Sequence, residues 1–286
     1  MIHINEVPFD YEPRRKILPE LPTYIDPRGQ RHPEMTESES AFLCGLLKIY
    51  RPKKVLEVGV ASGGSTAIIL QALEDLNESY EMHSIDISPR IYCDQNKTTG
   101  FMATIAKEKI FGSLNGTHKF HIGTVFPFIA DEIGEEIDFV ILDTIHIIPG
   151  EILDFLAIFP YLKNNAIIVL HDVAMNQYST PHPAYYATSV LFSTVTAEKF
   201  LNFVPAAENR IFNYPNIAAF KVNALTAENV DNVFLSLILR WIYMPPEEQL
   251  VAYRQLYKRF YPAELCEIFQ EAIDMNAYNY YLAQRK

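Results

Sequence analysis

Short apolar runs alternate with helical patterns through the middle of the chain. The runs at 54–59, 138–143 and 166–171 are rich in β-branched residues, and between them apolar residues recur every three or four positions. Strands that are apolar on both faces are typical of a parallel sheet covered by helices on both sides. The pattern therefore predicts an α/β fold with a doubly wound, mostly parallel sheet.

Turn residues and capping signals set the bounds of these elements. The predicted strands are 54–59, 80–86, 119–123, 138–143 and 166–171, followed by an antiparallel pair at 211–214 and 217–222. The predicted helices of this part are 37–51, 65–76, 101–111, 127–133 and 151–162. The first helix has the capping box Thr-Glu-Ser-Glu and stops at Pro52.

Two flanking segments break the alternation. Residues 1–36 carry six prolines without apolar periodicity, which is typical of an extended arm on a domain surface, with a disordered leader as the alternative. From 226 onwards the apolar spacing is helical throughout. We therefore expect an arm at 1–36, a central domain at 37–225 and a helical appendage at 226–286.

Composition narrows the class of partner. The net charge of −11, from 24 Lys and Arg against 35 Asp and Glu, repels phosphate backbones, so we expect no nucleic acid partner. The apolar runs fall short of the roughly 20 residues of a membrane span, and the first residues lack a secretory signal pattern. Cys44, Cys93 and Cys266 lie too far apart to suggest a disulfide framework or a cysteine zinc site. We expect a cytoplasmic protein.

The turn after the first central strand combines glycines with an acid. In VLEVGVASGGST, Glu57 precedes Gly59, and Gly63 begins the next helix. Glycine lets a ligand approach the backbone, and a helix N-terminus offers N–H groups to a carboxylate or phosphate. The spacing fits a dinucleotide fingerprint poorly, and Glu57 favours a ligand with a cationic group. Asp86, at the end of the second strand, is placed to accept both hydroxyls of a ribose. A turn without ligand and an N-cap Asp are the alternatives.

Polar side chains also follow the fourth and fifth strands. Asp143 ends DFVILD, His146 comes three residues later, and His171 and Asp172 end the fifth strand. Because parallel strands end at the same edge of a sheet, we expect these side chains at one rim of the crevice. The ordinary pKa of histidine, about 6.5, suits His146 as a general base. The alternative is a loop histidine bound to a backbone carbonyl.

Together these motifs resemble the class I S-adenosylmethionine-dependent methyltransferases over about residues 37–222. The segments EVGVASGGST and DFVILDTIH, with IIVLHDV, are similar to small-molecule O-methyltransferases that tailor antibiotics and sugars, and more distantly to catechol O-methyltransferase. The resemblance implies a Rossmann-like, seven-stranded sheet and S-adenosylmethionine as cofactor. It also implies methyl transfer to a hydroxyl of a small molecule, such as a sugar, a natural product or an aromatic compound.

The resemblance also assigns cofactor contacts. It places the methionine part of the cofactor over Gly59, Ala61 and Gly63, with the cofactor carboxylate at Ser65. The ribose would bind to Asp86, and the adenine would lie against Ile87. Members of the family often have an acid after the third strand to receive the adenine amino group. This chain has Gly-Thr-Val at that place, which suggests backbone contacts there.

For the acceptor side, the catechol-type pattern implies a magnesium ion held by Asp143 and Asp172, with His146 removing the hydroxyl proton. Metal-binding members usually have an acid where this chain has His171, and magnesium prefers oxygen ligands. Magnesium, a softer divalent metal and no metal therefore all remain open. The role of His171 is also open, with orientation of Asp172 or of the acceptor as one option.

Three further interpretations come from the remaining segments. The aromatic stretch 176–186, with Tyr178, His182, Tyr185 and Tyr186, predicts an acceptor lid or else an inert surface loop. A helix over 230–241 that is apolar around most of its circumference predicts a homodimer, with packing inside the chain as the alternative. His83, His118 and His121 lie on or beside strands and are interpreted as structural residues.

Two other classes of function compete with methyl transfer. One is a different enzyme on the same fold, an aminopropyl transferase or an NAD-dependent oxidoreductase. The other is a binding module that has kept the pocket without catalysis.

Overall fold

A computed structural model describes residues 1–178, 185–203 and 215–283. Its strands are β1 (Ile2–Ile4), β2 (Tyr24–Ile25), β3 (Arg31–His32), β4 (Lys54–Val58), β5 (Glu81–Asp86), β6 (Arg90–Ile91), β7 (Asp94–Thr98), β8 (Thr117–Ile122), β9 (Ile137–Leu142), β10 (Leu162–His171), β11 (Glu198–Leu201) and β12 (Ile217–Lys221). Its α-helices are α1 (Glu12–Ile17), α2 (Glu37–Tyr50), α3 (Gly64–Asp75), α4 (Phe101–Ala106), α5 (Phe126–Ile133), α6 (Gly150–Ile158), α7 (Met175–Tyr178), α8 (Ala187–Thr194), α9 (Ala224–Glu228), α10 (Asp231–Ser236), α11 (Glu247–Phe260) and α12 (Ala263–Ala283).

One mostly parallel sheet organises the molecule, in the order β1-β11-β12-β10-β9-β4-β5-β8. Strands β8, β5, β4, β9 and β10 run parallel, and β12 lies antiparallel between β10 and β11. The chain winds outwards from β4 in one direction and continues from β9 in the other, so the strand order reverses between these two strands. Such a reversal opens a crevice beyond the carboxyl ends of the strands. The predicted doubly wound α/β fold is confirmed.

The sheet has eight strands, one more than the seven implied by the resemblance. The additional strand is β1, in which Ile2 pairs in parallel with Lys199 of β11, so the start of the arm extends the sheet edge. Strand β11 itself was missed, because a four-residue strand with mixed polarity leaves little periodicity. The predicted strand at 211–214 lies outside the described residues, and β12 pairs instead with β11 and β10.

Helix α2 shows how local sequence fixes an element that later reaches the site. The Thr36 hydroxyl accepts from the backbone N–H of Glu39 at 3.3 Å, and the Glu39 carboxylate accepts from the N–H of Thr36 at 2.7 Å. This reciprocal pair is the predicted capping box. The apolar face of α2 is buried against α3, whereas Glu39, in the first turn, points towards the end of β10.

The C-terminal helices pack on the sheet domain through tyrosines of α11 and the residue after it. The Tyr253 hydroxyl donates to Asp154 at 2.7 Å, and the hydroxyls of Tyr257 and Tyr261 donate to carbonyls of α6 at 2.9 and 2.6 Å. These bonds fix α6, which follows the loop carrying the predicted rim residues. Among the described residues, no helix has both the length and the apolar character needed to cross a membrane.

The continuous helix predicted over 230–241 is wrong, because α10 ends at Ser236 and short turns follow. The predicted inner face is largely buried: Val233, Phe234, Leu237 and Trp241. Ile238, which was predicted on that face, is instead exposed by 42%, together with three residues off the face, exposed by 40 to 47%: Leu235, Leu239 and Ile242. Within the described chain, the appendage therefore leaves one apolar surface uncovered.

Candidate active site

The turn between β4 and α3 is forced into its shape by close backbone contacts. Gly59 has a φ of +97°, and a Cβ there would lie 1.8 Å from the carbonyl oxygen of Asp143. Gly63 has a φ of +79°, and a Cβ there would lie 2.8 Å from Cα of Gly100. Ala61 also has a positive φ, +47°. Positions 59 and 63 therefore require glycine, because a side chain there would meet neighbouring backbone and the positive φ would strain it.

Asp86 holds this turn from the end of β5. Its Oδ2 accepts from the backbone N–H groups of Val60 and Ala61 at 3.0 and 3.1 Å, and its Oδ1 accepts from the N–H of Ser88 at 2.8 Å. A carboxylate has about four acceptor positions, so one position is left for a hydroxyl. The structure thus brings the predicted ribose acceptor to the predicted turn, but much of its capacity is already committed to backbone.

Glu57 lies beneath the turn and is enclosed, with 2% of its surface exposed. Its carboxylate accepts from the hydroxyl of Thr66 at 2.8 Å and from that of Ser84 at 2.6 Å. Burial raises the pKa of Glu57 to about 7, against the lowering effect of these two hydroxyls. The sequence placed this acid beside a cationic ligand group. The structure instead places it where it supports β4, α3 and β5 from below.

The start of α3 has the features that a carboxylate-bearing ligand needs. The N–H groups of its first turn, which includes Ser65, have no partner within the helix and carry the positive end of the helix dipole. Ile87, directly after Asp86, is 56% exposed and offers an apolar surface at the edge of the crevice. The loop after β8 is anchored by its backbone, since the N–H of Gly123 donates to the carbonyl of Asp86 at 2.7 Å. The residues present fit S-adenosylmethionine.

The predicted rim residues of β9 and β10 do come together. His146 Nε2 lies 3.2 Å from Asp172 Oδ2 and 3.7 Å from Asp143 Oδ1, while its Nδ1 lies 3.1 Å from Glu151 Oε1. Because both ring nitrogens face carboxylates, which only accept, both carry protons. Burial alone would lower the pKa of His146, but Glu151, Asp172 and Asp143 raise it to about 9. The expected pKa near neutrality is therefore corrected upwards.

His171 is the second charged imidazole of the rim. Its Nδ1 lies 3.1 Å from Asp143 Oδ1 and its Nε2 lies 3.4 Å from Glu39 Oε2. Burial opposes the charge, but the neighbouring carboxylates, Asp143 first and then Asp172, hold the pKa of His171 well above its usual value. His171 thus joins α2 to the ends of β9 and β10.

A group of three side chains has the geometry of a metal site. One donor atom each of Asp143, His146 and Asp172 lies within 4.8 Å of the others. The residues fit a divalent cation, which would take the place of the Nε2 proton of His146. Two carboxylates and an imidazole suit a transition metal better than magnesium, which favours oxygen ligands throughout.

Three residues of the rim were missed from the sequence. Glu39 was noted only as part of a capping box, Glu151 only as the start of a helix, and Asn216 only as part of a turn. Asn216 Nδ2 donates to Asp172 Oδ1 at 2.6 Å. No local pattern could have found them, since each reaches the rim from a different element. Of the predicted lid over 176–186, residues 176–178, at the end of α7, and 185–186 are described, whereas 179–184 lie outside the described residues.

Comparison with known proteins bears on this arrangement. Residues 56–173 match a family described as a methyltransferase domain. No curated protein matches the chain significantly.

Similar solved structures include the O-methyltransferase TomG from Streptomyces achromogenes, at 15% identity and a TM-score of 0.44, covering 67% of this chain and 83% of that one. An O-methyltransferase from Bacillus cereus, in complex with SAH (S-adenosylhomocysteine), has 17% identity and a TM-score of 0.44, covering 76% and 94%. The methyltransferase PaMTH1 of Podospora anserina, also bound to SAH, has 14% identity and a TM-score of 0.43, covering 65% and 78%.

The matched residues run from β4 to the residues just after β10, so they contain the glycine turn, Asp86 and the rim residues that follow β9 and β10, but not Glu39 or Asn216. These residues, 56–173, therefore belong to a region similar to a methyltransferase domain, in agreement with the resemblance noted in the sequence.

Proposed function

We propose that this protein transfers the methyl group of S-adenosylmethionine to a hydroxyl of a small molecule. The observation that carries the proposal is the juxtaposition at one edge of the sheet. The glycine turn and Asp86 lie at the ends of β4 and β5, and the charged rim lies at the ends of β9 and β10. A cofactor bound on the first would present its methyl group towards the second. The backbone contact between Gly59 and Asp143 ties the two parts together.

The reaction is a direct displacement. The acceptor oxygen attacks the methyl carbon, the sulfonium leaves as the neutral thioether of S-adenosylhomocysteine, and the hydroxyl proton passes to a base. Catalysis therefore consists of aligning three atoms and removing one proton. The cofactor supplies the electrophilic methyl group, and the residues of this chain supply the alignment.

His146 is the proposed base. Because its pKa is raised to about 9, the base is the neutral form of the ring, which is the minor form at neutral pH. Glu151 lies 3.1 Å from Nδ1 and favours the proton there, so this form presents an unprotonated Nε2 to the rim. Asp172, fixed by Asn216, marks the place where the acceptor hydroxyl approaches. A divalent cation bound by Asp143, His146 and Asp172 would lower the pKa of that hydroxyl, and His146 would then be a ligand.

The acceptor has a natural place beside α8. The N–H of Ala187 donates to the carbonyl of His146 at 3.0 Å, and the Thr188 hydroxyl donates to the carbonyl of Asp172 at 2.9 Å, so α8 starts at the rim. A groove of about 470 Å³ runs along this helix between Tyr186 and Leu239. We propose that the bulk of the acceptor lies there, against Asn176 and Tyr186 of the predicted lid segment.

Release of S-adenosylhomocysteine in the presence of a panel of hydroxyl compounds tests the proposal. We expect turnover with at least one sugar, phenol or polycyclic alcohol, with one methyl group gained per S-adenosylhomocysteine released. Assays in chelator, with and without added Mg²⁺ or Mn²⁺, decide the metal question. Binding of the cofactor without turnover on any acceptor would favour a binding module over an enzyme.

The exposed apolar side chains after α10 support a second, separate proposal, that the protein is a homodimer. A surface of this kind is commonly covered by an identical copy across a two-fold axis. Light scattering at micromolar concentration should give twice the chain mass. The double variant Leu235→Lys, Ile242→Lys, which leaves the groove residue Leu239 in place, should give the mass of one chain, and a wild-type monomer would contradict the proposal.

A further inference from the structure

A segment of the N-terminal arm closes against the glycine turn. His32 is 5% exposed, and its Nδ1 lies 3.1 Å from the hydroxyl of Ser62. The next residue, Pro33, packs on the start of α3, where a Cβ built on Gly64 would lie 2.9 Å from the proline ring. This segment lies outside the matched methyltransferase residues 56–173. The arm therefore contributes to a turn whose own sequence gives no sign of it.

Asp26 orients the His32 ring. Its Oδ2 lies 3.3 Å from His32 Nε2, and its Oδ1 accepts from the backbone N–H groups of Arg28 and Gln30 at 2.8 and 3.0 Å. Burial would raise the pKa of Asp26, but the Arg28 guanidinium, whose Nε donates to Oδ2 at 2.8 Å, and the N–H of Gln30 hold it well below its usual range. The ionised carboxylate keeps the proton on Nε2, which leaves Nδ1 to Ser62.

Ser62 lies where the backbone of the turn is most strained. It lies between Ala61 and Gly63, whose φ values of +47° and +79° are both in the left-handed region. A non-glycine residue in that region is strained and persists only where its surroundings hold it. Asp86 restrains the preceding N–H groups, and the N–H of Met102 donates to the Ser62 carbonyl at 2.9 Å. The His32 contact is the restraint on the Ser62 side chain.

We propose that His32 is a positioning residue for the cofactor, acting through Ser62. Ser62 is 2% exposed, so neither residue faces the crevice openly, and the effect passes through the conformation of the turn. A turn that already has its ligand-bound conformation loses less conformational entropy on binding, so its affinity for the ligand is higher. The inference rests on the proposed function, since it concerns the affinity for S-adenosylmethionine and S-adenosylhomocysteine.

Calorimetric titration with S-adenosylhomocysteine tests the inference without any acceptor. His32→Ala should raise Kd roughly tenfold, and Ser62→Ala should do the same. The double variant should be within about twofold of either single variant, because both remove one contact. His32→Asn should restore Kd to within about threefold of the wild type, since its amide occupies the place of Nδ1. A role in packing alone predicts no such rescue.

Tyr24→Phe is the matched control. It removes the hydroxyl that donates to Asp94 at 3.0 Å, in the same arm, and leaves the His32 to Ser62 contact in place. Its Kd should stay within about twofold of the wild type. An unchanged Kd in folded His32→Ala, or equal weakening by Tyr24→Phe, would overturn the inference. If His32→Ala does not fold, Ser62→Ala decides. A wild type that binds no S-adenosylhomocysteine refutes the proposed function instead.

Discussion

The cofactor half and the acceptor half of the crevice differ in the direction in which the pKa values of their ionisable groups shift. Burial raises the pKa of Glu57, under the glycine turn, to about 7 and lowers that of His118, on the neighbouring β8, to about 3, so both groups are shifted towards their neutral forms. On the rim, pairing raises the pKa of His146 to about 9 and lowers the pKa of Glu151. Both of these groups are held charged.

The difference shows what decides the charge of a buried group. Beneath the turn the partners are hydroxyls, as in the contacts of Ser84 with Glu57 at 2.6 Å and with His118 at 3.0 Å. Hydroxyls offer hydrogen bonds without compensating charge, so desolvation prevails. On the rim each imidazole faces carboxylates, and the Coulomb attraction exceeds the cost of burial. The partner of a buried group, and not its burial alone, therefore decides whether it is charged.

The largest effect is expected from the rim. His146→Ala should lower turnover by roughly 10² to 10⁴ and leave the Kd for S-adenosylhomocysteine nearly unchanged, because the ring acts on the acceptor. Steady-state kinetics and calorimetry on the same preparation check both parts. Loss of cofactor affinity with normal turnover at saturation would reverse the roles of the two halves.

The pH dependence of the free energy of unfolding tests whether His118 is neutral in the folded protein. The folded-state pKa of His118 is depressed to about 3, so its contribution to stability is complete above the unfolded pKa of about 6.5 and is lost as the pH falls below it. Between pH 7 and pH 5 this amounts to about 2 kcal/mol. His118→Gln retains a hydrogen-bonding group for Ser84 without titrating, and urea unfolding should show a correspondingly smaller loss. Equal losses in the two proteins would mean that His118 is not kept neutral.

Asp86 tests the cofactor half directly. Asp86→Ala removes the acceptor for a ribose hydroxyl and releases the N–H groups of Val60 and Ala61, so the Kd for S-adenosylmethionine should rise at least about tenfold. Asp86→Asn keeps one acceptor oxygen, so its Kd for S-adenosylmethionine should lie between those of the wild type and Asp86→Ala. Unchanged affinity in a folded Asp86→Ala protein would remove the ribose assignment.

The smallest effect is expected for Glu39, which belongs to the rim but lies on α2. Glu39→Gln preserves an oxygen for the N–H of Thr36 and removes the charge that faces His171. Turnover should fall roughly tenfold with cofactor affinity unchanged, because only the acceptor half is disturbed. The midpoint of thermal unfolding of Glu39→Gln, compared with that of the wild type, shows whether the cap of α2 is retained. A normal turnover would mean that Asp143 alone orients His171.

The sequence predicted the cofactor half better than the acceptor half, for a physical reason. Gly59, Gly63 and Asp86 act through backbone geometry at strand ends, and strand ends are marked in the sequence by periodicity and glycine. The rim depends on side chains that meet from distant elements. Glu39 and Asn216 are 177 positions apart in the printed sequence, and nothing local connects them.

The missed strand and the broken helix have a similar cause. Strand β11 has only four residues, so its pairing with β12 supplies what its own pattern lacks. The apolar spacing over 230–241 is helical, but α10 ends at Ser236. Leu237 and Trp241 are still buried, although they lie in the turns that follow the helix. In this segment, apolar periodicity predicts the burial of side chains better than it predicts their secondary structure.

The central claim is that the turn and Asp86 bind S-adenosylmethionine. Calorimetric titration of the wild-type protein with S-adenosylmethionine, S-adenosylhomocysteine and NAD tests it most directly. The account predicts that the two sulfur compounds each bind at one site per chain and that NAD shows no saturable binding. Saturable binding of NAD, with neither sulfur compound bound at millimolar concentration, would contradict it.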